Sequence, residues 1–282
     1  MPTKPLGRKA YGSIGHLPGS HCGPGDHHIT DGQAQICWTQ ARDRHDRVLV
    51  QEKLDGSNVA VAKINGTLIP LVRAGYPAIT SPYPHHALFA AWAQAHAARF
   101  AAVLQEGERL VGEWFALAHG TRYALPHEPF VAFDLMREAT RLPYDAFQAR
   151  LDGRFVTPAV IHDGPPCPLE TAQAYLATGG RHGALDPPEG AVWRVERRGQ
   201  VDFLAKWVLP DKVDGRYLPE ISGQEALWLW TPGPVVVAPS DCTVPAIPGE
   251  HWRAAYPPYR RCQPPVSHKG ATETYGSSSL GG

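Results

Sequence analysis

Between residues 48 and 72 the chain offers apolar, strand-like runs in quick succession: Val48-Leu49-Val50, then Val59-Ala60-Val61, then residues 68–72. The last two are separated by Asn65-Gly66, a pair whose backbone readily takes the positive φ angles of a tight hairpin turn. A link this short reverses the chain, whereas a parallel crossover needs a dozen residues or more. Antiparallel sheet is therefore predicted, with helices inserted between its strands.

The rest of the pattern agrees. Residues 86–104 carry Leu88, Phe89, Trp92, Phe100, Val103 and Leu104 at helical spacing, predicting one helix. Short strand-like runs come next at Leu110-Val111-Gly112-Glu113-Trp114 and Phe130-Val131-Ala132-Phe133-Asp134. Weaker helical patterns lie at 144–151 and 169–176, and two further strands at 191–195 and 201–208. The predicted class is α+β, built on antiparallel sheet. With 282 residues, 43% of them apolar, the chain can bury one substantial core. Its expected organisation is an irregular Gly/His-rich N-terminal arm (1–46), a main domain (47–230) and a proline-rich, partly disordered C-terminal tail (231–282).

Composition narrows the function classes. The 27 basic residues balance 27 acidic ones, so binding of a polyanion must rest on a local patch. Arg194, Arg197 and Arg198 are the preferred patch, because Asp43 and Asp46 break up Arg42, Arg44 and Arg47 into a mixed-charge face. The five cysteines show no CxxC spacing, which points to a reducing, cytoplasmic setting, and no run of apolar residues is long enough to predict a membrane span. His21, Cys22, His27, His28 and Cys37 include zinc-ligand types, but their spacing fits no common zinc pattern. A Gly-rich loop near the active site or on a bound polyanion is the preferred reading of that segment.

Chemistry concentrates around Lys53 in Glu52-Lys53-Leu54-Asp55-Gly56-Ser57-Asn58. A lysine becomes a nucleophile only after losing its proton, and burial or a neighbouring cation lowers its pKa toward that state. Gly56 allows close approach of a phosphate. Alone, the four residues from Lys53 to Gly56 are also compatible with a surface turn.

Segments further along the chain change the weight. Lys53-Leu54-Asp55-Gly56, Arg73 in Leu71-Val72-Arg73-Ala74-Gly75, Glu113 in Val111-Gly112-Glu113-Trp114, Phe133 in its aromatic run, Glu189-Gly190-Ala191-Val192-Trp193-Arg194 and Leu204-Ala205-Lys206-Trp207-Val208, in that order, resemble the covalent nucleotidyltransferases, the superfamily of ATP-dependent ligases and capping enzymes. The resemblance spans roughly 155 residues, from Glu52 to Lys206. Glu52 before the lysine and Asn58 after the glycine look like the RNA ligases that seal nicked duplexes. The resemblance implies an adenylation domain in which Lys53 carries AMP, Lys206 stabilises charge on the α-phosphate and helps keep Lys53 deprotonated, and Glu189 holds Mg2+ or Mn2+. It implies further that Glu113 meets the ribose, Arg73 and Asn58 grip phosphate or ribose, Glu52 accepts from the adenine amino group, Phe133 stacks on the base, and Asp55 and Gly56 shape the nucleotide loop. ATP is the implied cosubstrate. RNA with 5′-phosphate and 3′-hydroxyl ends is the implied partner, with an end-processing enzyme to prepare those ends as a second.

One departure stands out: where the family often has a second basic residue after Lys206, this chain has Trp207 and Val208. Lys212 is a substitute only if the chain bends, since it would lie about 20 Å along an extended strand. A DNA ligase or a capping guanylyltransferase would use the same lysine, and a non-catalytic nucleic-acid-binding protein would keep only the scaffold. Singly, each residue also has an ordinary reading: Glu113 with Arg194 as a surface ion pair, Phe133 as core, Lys206 as a solvated strand residue.

Overall fold

The structure, a computed structural model, describes residues 2–232. The expected disorder of the proline-rich tail falls on residues 233–282, outside the described residues, as do Cys242 and Cys262.

In chain order the elements are β1 (Gly15–His16), α1 (Asp31–Trp38), β2 (Asp46–Lys53), β3 (Ser57–Ile64), β4 (Thr67–Val72), α2 (Pro84–Ala95), α3 (Ala97–Val103), β5 (Glu108–Trp114), β6 (Phe130–Arg137), β7 (Thr140–Arg141), α4 (Tyr144–Leu151), β8 (Val160–Gly164), α5 (Leu169–Leu176), β9 (Gly190–Arg197), β10 (Gln200–Val208) and α6 (Pro219–Ser222). They form two five-stranded sheets, β1-β10-β9-β2-β8 and β4-β3-β5-β6-β7. All pairings are antiparallel except that of β1 with β10, so the predicted α+β class holds. The β3–β4 hairpin turns on Asn65 and Gly66 at φ 50° and 74°, as the sequence predicts.

Side-chain alternation explains how both faces of a sheet are covered. On β3, Val59 and Val61 join Phe89, Trp92, Phe100 and Phe130 in the core beneath α2 and α3. Ala60 and Ala62 instead meet Ala10, Tyr11 and Leu71 in a second cluster. The other sheet buries Val48, Val50, Trp193, Val195, Ala205 and Trp207 against Ala34 and Cys37 of α1 and Ala172 and Leu176 of α5.

Two features depart from the sequence reading. The helix predicted over 86–104 is broken at His96 (φ −105°, ψ 19°), whose Nδ1 lies 2.8 Å from the Trp92 carbonyl oxygen, a local bond that competes with helix continuation. Within the segment read as irregular, Thr30 and Gln33 make a capping box that starts α1. No helix among the described residues is long and apolar enough to cross a membrane.

Candidate active site

Lys53 is the last residue of β2 in one sheet, and Ser57 is the first of β3 in the other. The three residues between them carry the chain from sheet to sheet, so the lysine stands at the seam. A Cβ on Gly56 would lie 2.6 Å from the Trp114 carbonyl oxygen and 3.3 Å from Glu113 Cγ, so only glycine passes here without displacing β5.

Strand register assembles the remaining groups. Lys53 pairs with Gly190, which brings the preceding Glu189 alongside it, and Lys53 Nζ donates to Glu189 Oε2 at 2.5 Å. Asn58 pairs with Glu113, and Glu113 Oε1 accepts the Gly56 N–H at 3.0 Å. Lys206 is opposite Val192 on β10 and has Asp26 Oδ1 3.8 Å from its ammonium. The same strand turns Trp207 to the apolar core, 2% exposed.

The chain bends after β10, as a role for Lys212 requires. Lys212 is 8% exposed, and its Nζ donates to Asp55 Oδ2 at 2.5 Å and also to Thr121 Oγ1. Asp55 further accepts the Gly120 N–H at 3.0 Å, and its own N–H donates to Tyr123 Oη at 3.3 Å. Lys212 thus fastens the loop that follows Lys53. Gly120, Thr121 and Tyr123 lack any signal in the sequence, because their role exists only through contacts with a loop some 65 residues upstream.

The electrostatics differ from the expectation for Lys53. Burial disfavours its ammonium, but Glu189, Glu113 and Asp55 outweigh that, and its pKa is raised. Lys206 takes the downward shift instead, first from burial and then from the Lys53 charge. Glu113 is pushed up to about 8, first by burial and also by Glu189, against the pull of Lys53. Lys53 is thus held charged by the ion pair with Glu189. Glu189→Gln should lower its pKa, and its labelling by an amine-reactive reagent at neutral pH should quicken several-fold. Unchanged or slower labelling, read by peptide mass mapping, would contradict this account of the pair.

Among the described residues two buried side-chain acceptors have no partner: Glu52 Oε1 and Asn58 Oδ1. An unpaired buried acceptor is costly; Glu52 immediately precedes Lys53 on β2 and Asn58 is on β3 beyond the connecting loop, so both suit the polar edges of a nucleotide. Glu189 suits a hard divalent cation, since magnesium is commonly bound by one or two carboxylates with substrate phosphate and water completing its shell. Among the described residues no group of three or more His, Cys, Asp or Glu is arranged to hold a metal alone. The N-terminal loop does reach the site, through Asp26 beside Lys206.

Arg73 is exposed, bonds the Gly12 carbonyl oxygen at 3.3 Å and is close enough to disfavour the Lys206 charge. Phe133 is the extra residue of a bulge, since Val111 pairs with Asp134 and Gly112 with Ala132; its half-buried ring meets Tyr11 edge-on at 5.3 Å. The RNA patch expected at Arg194, Arg197 and Arg198 is not formed. Arg194 is 2% exposed and paired with Asp134, while Arg197 is held by Asp43 and Asp46. Nor does Arg194 pair with Glu113 at the surface. Arg42 and Arg47 do lie on a mixed-charge face, bonded to Asp46 and Asp202 and to Asp145 and Asp163.

A family model described as RNA ligase matches residues 46–208, a span that holds Lys53, Glu113, Glu189 and Lys206 and leaves out Asp26 and Lys212. No curated protein matches the chain. Among solved structures, an archaeal ATP-dependent RNA ligase is 17% identical at a TM-score of 0.42, covering 70% of this chain and 48% of its own. A putative ATP-dependent DNA ligase from Aquifex aeolicus is 13% identical at 0.42, covering 70% and 49%. A mutant Naegleria gruberi RNA ligase with ATP and Mn is 16% identical at 0.46, covering 71% and 60%. The chain spans about half the length of the first two.

Proposed function

The chain belongs to the RNA ligase family, and from that premise we propose that it is an ATP-dependent RNA ligase that carries AMP on Lys53. The observation that supports this best is the position of Lys53 at the seam between the sheets, ion-paired to Glu189 and flanked by two unpartnered buried acceptors.

In the first step the free amine of Lys53 attacks the α-phosphorus of ATP. An Nζ–P bond forms, the bond to the β-phosphate oxygen breaks, and pyrophosphate leaves. The lysine proton must depart before or during attack, and Glu189 Oε2 is the carboxylate oxygen bonded to it. Lys206, kept less basic by burial and by Lys53, offers positive charge to the phosphate oxygens. Glu189 is also the residue that would hold Mg2+ or Mn2+, which when bound supplies charge neutralisation on the phosphates. Glu113 faces the ribose, Arg73 and Asn58 hold phosphate or ribose, and Phe133, braced by Tyr11, provides the ring for the base. Glu52 Oε1 accepts from the adenine amino group.

In the second step a 5′-phosphate oxygen of RNA attacks the adenylate phosphorus and the Nζ–P bond breaks. In the third a 3′-hydroxyl attacks the activated 5′-phosphate, forming the phosphodiester and releasing AMP. In this reading residues 47–230 act as the adenylation domain, and the substrate is RNA ends apposed at a nick.

Incubation with α-labelled ATP and magnesium should leave label on the protein, GTP should leave far less, and nicked duplexes whose ends are RNA should be sealed in preference to DNA. A protein that takes no label with magnesium or manganese is not a ligase of this kind. Preferential sealing of DNA would reassign the acceptor.

A further inference from the structure

Glu52 is 2% exposed, and its two carboxylate oxygens differ. Oε2 accepts the Arg181 N–H at 2.9 Å and the Tyr175 hydroxyl at 3.4 Å, while Oε1 has no partner. The position of the Arg181 N–H therefore decides how the free oxygen is aimed. Yet Arg181 sits among Gly179, Gly180 and Gly183, all at positive φ (92°, 69° and 76°), and a side chain on Gly180 would collide with the Glu52 carboxylate. Glycines permit this approach but give the loop no stiffness. Main-chain bonds anchor its far end, where the Gly183 carbonyl accepts the Ala124 N–H at 2.8 Å and the Leu185 N–H donates to the Arg122 carbonyl at 2.9 Å, but the end beside Glu52 needs a side chain to hold it.

His182 does so. It is 4% exposed, and its Nε2 accepts the Ala159 N–H at 3.1 Å, while the Ala159 carbonyl accepts the Glu52 N–H at 2.9 Å. Because Nε2 accepts, the ring proton is on Nδ1, which donates to His127 Nε2 at 2.8 Å. His127 must then carry its proton on Nδ1, which donates to the Glu128 carbonyl at 2.7 Å. The Glu128 carboxylate grips Arg99 through both guanidinium Nη atoms at 2.7 and 2.5 Å. These bonds fix which nitrogen of each ring faces which partner, and burial pushes His182 down to about 4. The contacts close a circuit: Glu52 main chain to Ala159, Ala159 to His182, and the adjoining Arg181 back to the Glu52 side chain.

We propose that His182, buttressed by His127, is a positioning residue for base selection: it holds the Arg181 amide on one oxygen of Glu52 and leaves the other aimed as an acceptor for the exocyclic amino group of an adenine nucleotide. An acceptor in that place gains a bond from an amino group and faces repulsion from a carbonyl. The proposal rests on the reading of Glu52 as the acceptor for adenine, and the test separates the two.

Self-adenylation kinetics are measured with ATP and with purine riboside triphosphate, which lacks the 6-amino group. His182→Ala is expected to raise the KM for ATP and to reduce the preference for ATP about tenfold, with kcat changed much less. His182→Gln, whose amide oxygen reaches the Ala159 N–H, should restore most of the preference. A merely structural role would lower kcat and Tm and leave the preference unchanged, which would overturn the proposal. If His182→Ala does not fold, His127→Ala carries the same expectation with a smaller fold-change, and an unaltered preference there is equally decisive. Glu52→Ala is the reference. If it leaves the preference intact, the reading of Glu52 is wrong; if it abolishes the preference and the histidine variants do not, the positioning role alone is wrong.

Discussion

Lys53→Ala is expected to carry no adenylate under any condition in which the unaltered protein is labelled. A second amine, Lys206, stands in the same pocket, and it is Lys206, not Lys53, whose pKa is lowered. A reading of pKa shifts alone would choose Lys206 as the nucleophile. Position argues for Lys53, which ends its strand at the loop between the sheets, beside Glu189 and Glu113. The experiment decides between them: label on Lys53→Ala that vanishes in Lys206→Ala would transfer the role. Because Glu189 keeps the Lys53 amine protonated, single-turnover labelling should also accelerate with pH. The free-amine fraction rises about tenfold per unit below the pKa. A rate independent of pH between about 6 and 9, under saturating ATP and metal, would mean that loss of this proton does not limit the step.

Asp134→Ala should be the most destabilising single change outside the site, costing about 3–5 kcal/mol. Asp134 is 1% exposed and accepts from Tyr11 Oη at 2.6 Å, from Arg141 Nε at 3.1 Å and from Arg194 Nη2. Its partners come from the N-terminal segment, from β7 and from β9, so one carboxylate ties the first residues to both sheets. Removing it leaves the Arg194 guanidinium buried, with the Phe133 and Leu142 carbonyl oxygens at 3.3 and 3.5 Å and Glu196 at 3.9 Å. Breaking a buried pair by deleting one member costs far more than the pair contributes in place, because the other charge remains unpaired in the interior. Urea unfolding measures it, and a fall in Tm on the order of 10 °C is the thermal counterpart. A loss below about 1 kcal/mol would show that Arg194 finds other partners by relaxation.

Where a residue depends on its neighbours in the chain, the sequence was a reliable guide. Asn65-Gly66 specifies its hairpin, and the helical spacing at Tyr144–Leu151 and Leu169–Leu176 yields helices with those bounds. Helix α1 was missed despite the capping box at Thr30 and Gln33, because it buries only Ala34 and Cys37, too few apolar positions to make a periodic stripe. The two-residue strands β1 and β7 have no local signature, because each exists only through the strand it pairs with.

The candidate site divides in the same way. The resemblance carried by short motifs and their order singles out Lys53, Glu113, Glu189 and Lys206 as candidates, since each motif is a local stretch of sequence. The tertiary structure decided which cation is which. It raised the pKa of Lys53 and lowered that of Lys206, brought Lys212 back to Asp55 across 157 positions, and buried Arg194 against Asp134 across 60. A charge state is set by burial and by whatever charge stands within a few ångströms, and in a sheet protein those neighbours come from remote strands through register that no local stretch of sequence encodes.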